Sequence, residues 1–191
     1  MLKLSQLTSA NFRSIKEETF RFQSLSVLIG QNNAGKSNVL DAIAILLEGT
    51  SKDVTQEEFF DRNNDFVLEG KFSGATEYLD ILDPRHKPRI EACIDDDGII
   101  AVRRVGNASG QTLSPIQILN PATGDFGTPT GIDAALKQIL PEVVQVIPLA
   151  DVADEVSSKA ASSLTKILTD ISDEIETHAQ PLLDQAVEAL L

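Results

Sequence analysis

Eight consecutive residues, Gly30-Gln31-Asn32-Asn33-Ala34-Gly35-Lys36-Ser37, carry the sharpest chemical signal in the chain. They fit G-x-x-x-x-G-K-S, the pattern of a loop that cradles a phosphate chain. Gly30 and Gly35 allow backbone angles that gather successive amide N–H groups around anionic oxygens. Lys36 supplies an ammonium for the outer phosphates, and the Ser37 hydroxyl is placed to ligate Mg²⁺. The chemistry is therefore the binding of a nucleotide with its metal ion.

Such a loop works only between a strand and a helix, because the helix must aim its positive dipole end at the phosphates. Leu25, Val27, Leu28 and Ile29 form an apolar run just before the loop, short enough for a central strand over 24–29. After it, Val39, Leu40, Ile43, Leu46 and Leu47 recur at helical spacing, and Gly49 suits the helix stop. Upstream, Leu2-Lys3-Leu4 and Thr19-Phe20-Arg21-Phe22 alternate as half-buried strands do, with Asn11-Phe12-Arg13-Ser14 connecting them. They predict an antiparallel pair.

The middle of the chain reads as strand and loop. Residues 67–72 alternate loosely, and 89–94 and 99–105 flank Asp95-Asp96-Asp97-Gly98, a hairpin signal. Residues 106–131 are rich in Gly, Pro, Ser, Thr and Asn and read as a long exposed connection. A short helix over 132–140 stops at Pro141, and 143–147 is a further strand candidate. From Asp151 onward Val152, Val156, Leu164, Ile167, Leu168, Ile171 and Ile175 make a helical stripe, and Pro181 restarts a second helix. The expected fold is α/β: a mixed sheet around the phosphate loop, an antiparallel β portion, and a C-terminal helical segment. Residues 1–150 would form the phosphate-loop lobe and 151–191 the start of a helical dimerisation or coiled-coil segment. The chain ends on Leu190-Leu191 inside an apolar stripe, which reads as a cut through a longer helical region.

Hydrolysis of a phosphoanhydride also needs a carboxylate for the metal and a group that orients water. Glu91 interrupts the apolar run before Asp95 and Asp96, so those two read as turn residues. Asp151 follows Pro148 and reads as a helix N-cap. Asn107-Ala108-Ser109-Gly110-Gln111 faintly echoes a Ser-Gly-Gly-Gln signature but lies in a loop without helical pattern. Arg103-Arg104 and Arg85-His86-Lys87 read as solvated hairpin and loop charges. No hydrolytic site is completed by these residues.

Composition sets the remaining bounds. The 191 residues carry 16 Lys and Arg against 29 Asp and Glu, a net charge of −13, which opposes non-specific attachment to nucleic acid. Residues 151–191 alone hold nine acids and two lysines, so the front and back of the chain differ in kind. One cysteine, Cys93, excludes an internal disulfide and a multi-cysteine zinc site. His86 and His178 have no ligand spacing. The longest apolar run, 42–47, is far too short to span a membrane. The expectation is a cytoplasmic protein with no membrane partner.

Taken together, Asn11-Phe12-Arg13-Ser14-Ile15, the run 25–29, Gly-Gln-Asn-Asn-Ala-Gly-Lys-Ser-Asn at 30–38 and Leu40-Asp41-Ala42-Ile43 resemble the N-terminal lobe of ABC-type ATPases of the SMC and DNA-repair class. Asn-Asn-Ala-Gly-Lys-Ser-Asn is most similar to the overcoming-lysogenisation-defect (OLD) family, whose members join such an ATPase to a C-terminal TOPRIM nuclease. The resemblance covers residues 2 to about 48, a quarter of the chain. It implies ATP and Mg²⁺ as cofactors, with Arg13 and Ser14 near the nucleotide and Asn33 and Asn38 flanking the phosphates. Gln145 becomes a second candidate near Mg²⁺, beside the plainer reading of a solvent-facing strand residue. It also implies a homodimer or higher homo-oligomer, DNA contacts through parts outside this chain, and a role in phage defence or DNA processing. The parent protein would couple ATP hydrolysis to a nuclease, while this segment alone would bind nucleotide without turning it over. An SMC-like ATPase without nuclease and a standalone ATP-binding regulatory subunit are the alternatives.

Overall fold

The computed structural model describes residues 2–50 and 53–144; Gln145 and the helical stripe from Asp151 lie outside them, as does the proposed boundary at 150. Ten residues, Lys3–Phe12, form β1, and Ile15–Arg21 form β2, paired antiparallel with Leu7 opposite Phe20 and Phe12 opposite Ile15. The expected pair is present and longer than the alternation suggested. Helix α1 spans Lys36–Glu48. A 3₁₀ turn at Gln56–Glu58 leads to β3 (Phe66–Ser73), a second 3₁₀ turn at Ala75–Tyr78, and the short helix α2 (Lys87–Glu91). Then follow β4 (Ile99–Asn107), β5 (Thr112–Leu113), β6 (Gln117–Asn120), β7 (Asp125–Gly127) and α3 (Asp133–Ile139).

The strands form one sheet in the order β2-β1-β3-β4-β6-β7, with β5 also paired to β4, and each of these pairings is antiparallel. The α/β class holds, and the antiparallel portion is the sheet itself. No helix among the described residues is long and apolar enough to cross a membrane.

Strand β3 is the spine. Phe66, Leu68, Gly70 and Phe72 alternate inward, as period-two burial requires, against Leu7 and Phe12 of β1 and Ile100 and Val102 of β4. Helix α1 presents Val39, Ala42, Ile45 and Leu46, all buried, to this face. Its approach is set by Gly70: a Cβ there would stand 2.6 Å from Leu46 Cδ2 and 2.9 Å from Phe72 Cε2. The glycine leaves the hollow into which the helix settles. At the far end, Arg104 of β4 donates from Nε to the Leu46 carbonyl at 2.8 Å and from Nη1 to the Gly49 carbonyl at 2.8 Å. A cation on the last carbonyls of a helix satisfies orphan acceptors and complements the dipole. Burial holds the Arg104 pKa below its ordinary value.

Four expectations change. Residues 24–29 form no strand: Leu25, Val27 and Ile29 are 82%, 72% and 90% exposed, while Leu28 packs against the core. A strand exists only where a neighbour accepts its backbone bonds, and β2 pairs with β1 alone. Residues 89–94 are not the first arm of a hairpin; Pro88 opens α2, and Ile94 makes just an isolated bridge to Ile100. The turn at 95–98 is as expected, with Asp95 Oδ1 accepting from the Asp97 and Ile99 amides. The stretch 106–131 holds β5, β6 and β7, whose two to four residues are too short for periodicity to show. Finally, Arg103 and Arg104 are not free surface charges, since Arg103 lies over the Phe126 ring at 4.1 Å and Arg104 caps α1.

Gly70→Ala is expected to lower stability by about 1–3 kcal/mol through overpacking beneath α1. Urea denaturation of the variant beside the parent chain measures it; unchanged midpoints would show that α1 does not depend on this hollow.

Candidate phosphate-binding site

The residues from Gly30 to Ser37 form a tight loop running into α1. The Ala34 amide donates to the Gln31 carbonyl at 3.2 Å, Asn33 takes φ 65°, and Gly35 takes φ 82° in the left-handed region. The next bond, from the Val39 amide to the Gly35 carbonyl at 3.3 Å, is the first of the helix. Gly35 is the N-cap, and no side chain caps it. Its first-turn amides are thus directed at whatever occupies the cavity in front of them.

That cavity measures about 590 Å³ and is walled by Asn32, Asn33, Gly35, Lys36 and Ser37 of the loop, with Ser14 and Asn38 beside them. The volume suits a small ligand. Its walls offer amide, hydroxyl and ammonium groups, a donor-rich set for an anion. Lys36 Nζ donates to the Gly30 carbonyl at 2.9 Å and the Gln31 carbonyl at 2.6 Å, so the ammonium is held over the loop. The Ser37 hydroxyl, on the same wall, could serve a magnesium ion that also takes phosphate oxygens. Among the described residues no group of three or more His, Cys, Asp or Glu gathers to hold a metal.

Residues 2–96 match the family described as AAA ATPase domain. The match covers 95 of the 191 residues. It is similar to the Old nuclease of Escherichia phage P2, 29% identical over 179 residues, covering 92% of this chain and 30% of that protein. It is also similar to the DNA repair protein RecN of Bacillus subtilis strain 168, 31% identical over 116 residues, covering 58% of this chain and 18% of the relative. A solved structure of the recombination mediator protein RecF-ATP aligns at 22% identity with a TM-score of 0.43, covering 69% of this chain and 30% of that one. The chain therefore spans about 30% of the length of the first of these curated relatives.

The structure places the sequence-derived candidates in two groups. Ser14 and Asn38 line the loop cavity, and Asn38 Nδ2 donates to Ser14 Oγ at 2.7 Å. Arg13 points elsewhere. Its Nε donates to Glu58 Oε2 at 2.6 Å, and Nη1 pairs with Asp41 in the second turn of α1. Partial burial opposes this charge, but bonding and attraction from Glu58 and then Asp41 outweigh it and raise the Arg13 pKa. Gln145 lies outside the described residues. The segment 107–111 is a turn closed by Asn107 Oδ1, which accepts from the Gly110 amide at 2.7 Å.

Glu58 was not singled out by the sequence. It is a buried charged residue next to an exposed one, Glu57, and its only signal is its place before Phe59 at the edge of the core.

Gly35→Ala is expected to destabilise the domain by about 1–2 kcal/mol, because a Cβ at this φ is strained and would stand 2.9 Å from Ser14 Oγ. Thermal melting read by circular dichroism tests it. A wild-type melting temperature would mean the loop start adapts freely.

Proposed function

We propose that this chain is the ATP-binding N-terminal portion of an OLD-like, ATP-dependent endonuclease that acts on DNA in phage defence or DNA processing. The observation that carries the reading is the loop at 30–37, whose left-handed Gly35 presents the uncapped start of α1 to a cavity walled by Lys36 and Ser37. In this reading the amides of 32–37 wrap the triphosphate, Lys36 neutralises its outer charge, and the Ser37 hydroxyl ligates Mg²⁺. The similarity to Old nuclease over 92% of the chain supports the OLD assignment.

The donor set binds and orients charge; it holds no group here given the task of moving a proton. Binding without turnover is therefore the activity proposed for the 191-residue chain by itself, with hydrolysis, DNA contact and nuclease chemistry assigned to the whole protein acting as a homo-oligomer in the cytoplasm. The similarity to RecN favours a second reading, a DNA-repair ATPase without nuclease.

Lys36→Ala should weaken binding of a fluorescent ATP analogue in the presence of Mg²⁺ by at least about tenfold, as loss of a charged hydrogen bond of 1.5–3 kcal/mol would do. Equal affinity in variant and parent would remove the phosphate-loop assignment. Lys36-dependent ATP turnover by the isolated chain would instead overturn the assignment of hydrolysis to the rest of the protein.

A further inference from the structure

The turn between β1 and β2 is held in an unfavourable backbone shape. Asn11 and Arg13 both have positive φ, 57° and 48°, which non-glycine residues adopt at a cost. The surrounding chain enforces it. Asn11 Oδ1 accepts from the Asp61 amide at 2.7 Å, and its Nδ2 donates to the carbonyls of Asp61 at 3.0 Å and Asn64 at 2.7 Å. The Phe60 amide donates to the Asn11 carbonyl at 3.0 Å, and the Arg13 amide donates to the Glu58 carbonyl at 2.9 Å. Phe12 bridges to Phe59 and meets Phe66 edge-on, with centroids 5.2 Å apart. Segment 58–65 therefore grips the hairpin tip along its whole length.

On its other side the tip grips α1. Arg13 reaches Asp41 and Ser14 reaches Asn38, two helix positions three residues apart and so on one face. Ser14 Oγ also stands 2.9 Å from where a Gly35 Cβ would be, so the hydroxyl walls the side of the loop's last turn. Arg13 is the central member, because Glu58 holds it from one side and Asp41 from the other. The Asn38 amide, committed to Ser14, is a tie rather than a phosphate donor.

We propose that Glu58, Arg13, Ser14 and Asn38 form a strut that sets the position of the phosphate loop, and that Glu58 is a positioning residue for nucleotide binding although it does not line the cavity. The inference rests on the phosphate-loop reading given above. It reassigns Arg13 from nucleotide contact to the support of the loop: a guanidinium occupied by two carboxylates fixes the hairpin tip, and the tip fixes Gly35 and the helix start.

Two measurements on the 191-residue chain test the strut. Glu58→Gln keeps shape but removes the negative charge that faces Arg13; Ser14→Ala removes one exposed hydroxyl. Each should weaken the fluorescent ATP analogue with Mg²⁺ by about three- to tenfold, the size of one or two net hydrogen bonds. In the double variant the losses should not add, since both act through the same tip. Without nucleotide, amide hydrogen exchange at 33–38 should quicken in both variants, while exchange in β3 and β4 stays as in the parent. A purely structural role for Glu58 would lower global protection and leave affinity below the melting transition unchanged, which would overturn the proposal. Parent-like affinity and parent-like exchange at 33–38 in both variants would overturn it as well. If Lys36→Ala binds as tightly as the parent, the phosphate-loop reading fails, and exchange at 33–38 still decides whether the strut exists.

Discussion

Helix α1 must be rigid at its start without a side chain capping that start. A Ser or Asp at the N-cap would satisfy the first amides and stiffen the turn, yet it would also occupy the donors a phosphate needs. The protein resolves the conflict by holding α1 from elsewhere. Gly70 lets Leu46 sink onto β3, Arg104 takes the carbonyls at the far end, and Ser14 and Arg13 tie the near end to a strained hairpin tip. Gly35 is left with no side-chain cap, and the sheet, the cap and the tip carry the order that a cap residue would otherwise supply.

This arrangement explains why charges that look superficial in the sequence are structural. Arg104 sits half-buried in β4, and its role depends on carbonyls at Leu46 and Gly49, more than fifty residues earlier. Arg103, its neighbour on the opposite face, stacks on Phe126 and bonds Gln117, and so joins β4 to β6 and β7. Glu58 likewise has meaning only through Arg13. Strings of single charges in a sequence say little about such pairings, because the partner is chosen by the fold rather than by spacing.

What the sequence made legible was whatever is decided locally. The loop pattern, the apolar spacing of α1 with its Gly49 stop, the β1–β2 pair, β3 and α3 were all readable because each depends on period, cap and turn residues within one segment. The losses have physical reasons. The run 25–29 has the composition of a buried strand, but pairing is a property of two segments, and Val27 and Ile29 lie exposed. Residues 89–94 have apolar content that suits strand or helix, and Pro88 at the first turn decided for helix. Strands β5 to β7 are only two to four residues long and are held by pairing, β5 and β6 with β4 and β7 with β6, rather than by any period of their own. Of the candidate site, the loop's place at the start of α1 was legible. Its support was not, since Glu58 lies twenty-two positions beyond Lys36 with nothing local to mark it.

The two bonds that Lys36 makes to its own loop have a further consequence. An anion entering the cavity engages an ammonium already solvated by the carbonyls of Gly30 and Gln31, so association is an exchange of partners. A neutral ligand can offer nothing better than the carbonyls it displaces. A triphosphate offers full negative charge, and charge-assisted bonds are roughly twice as strong as neutral ones. If the loop binds phosphate as proposed, it would discriminate by the difference between two sets of acceptors: its carbonyls would set the threshold a ligand must exceed, and the number of phosphate charges would decide by how much.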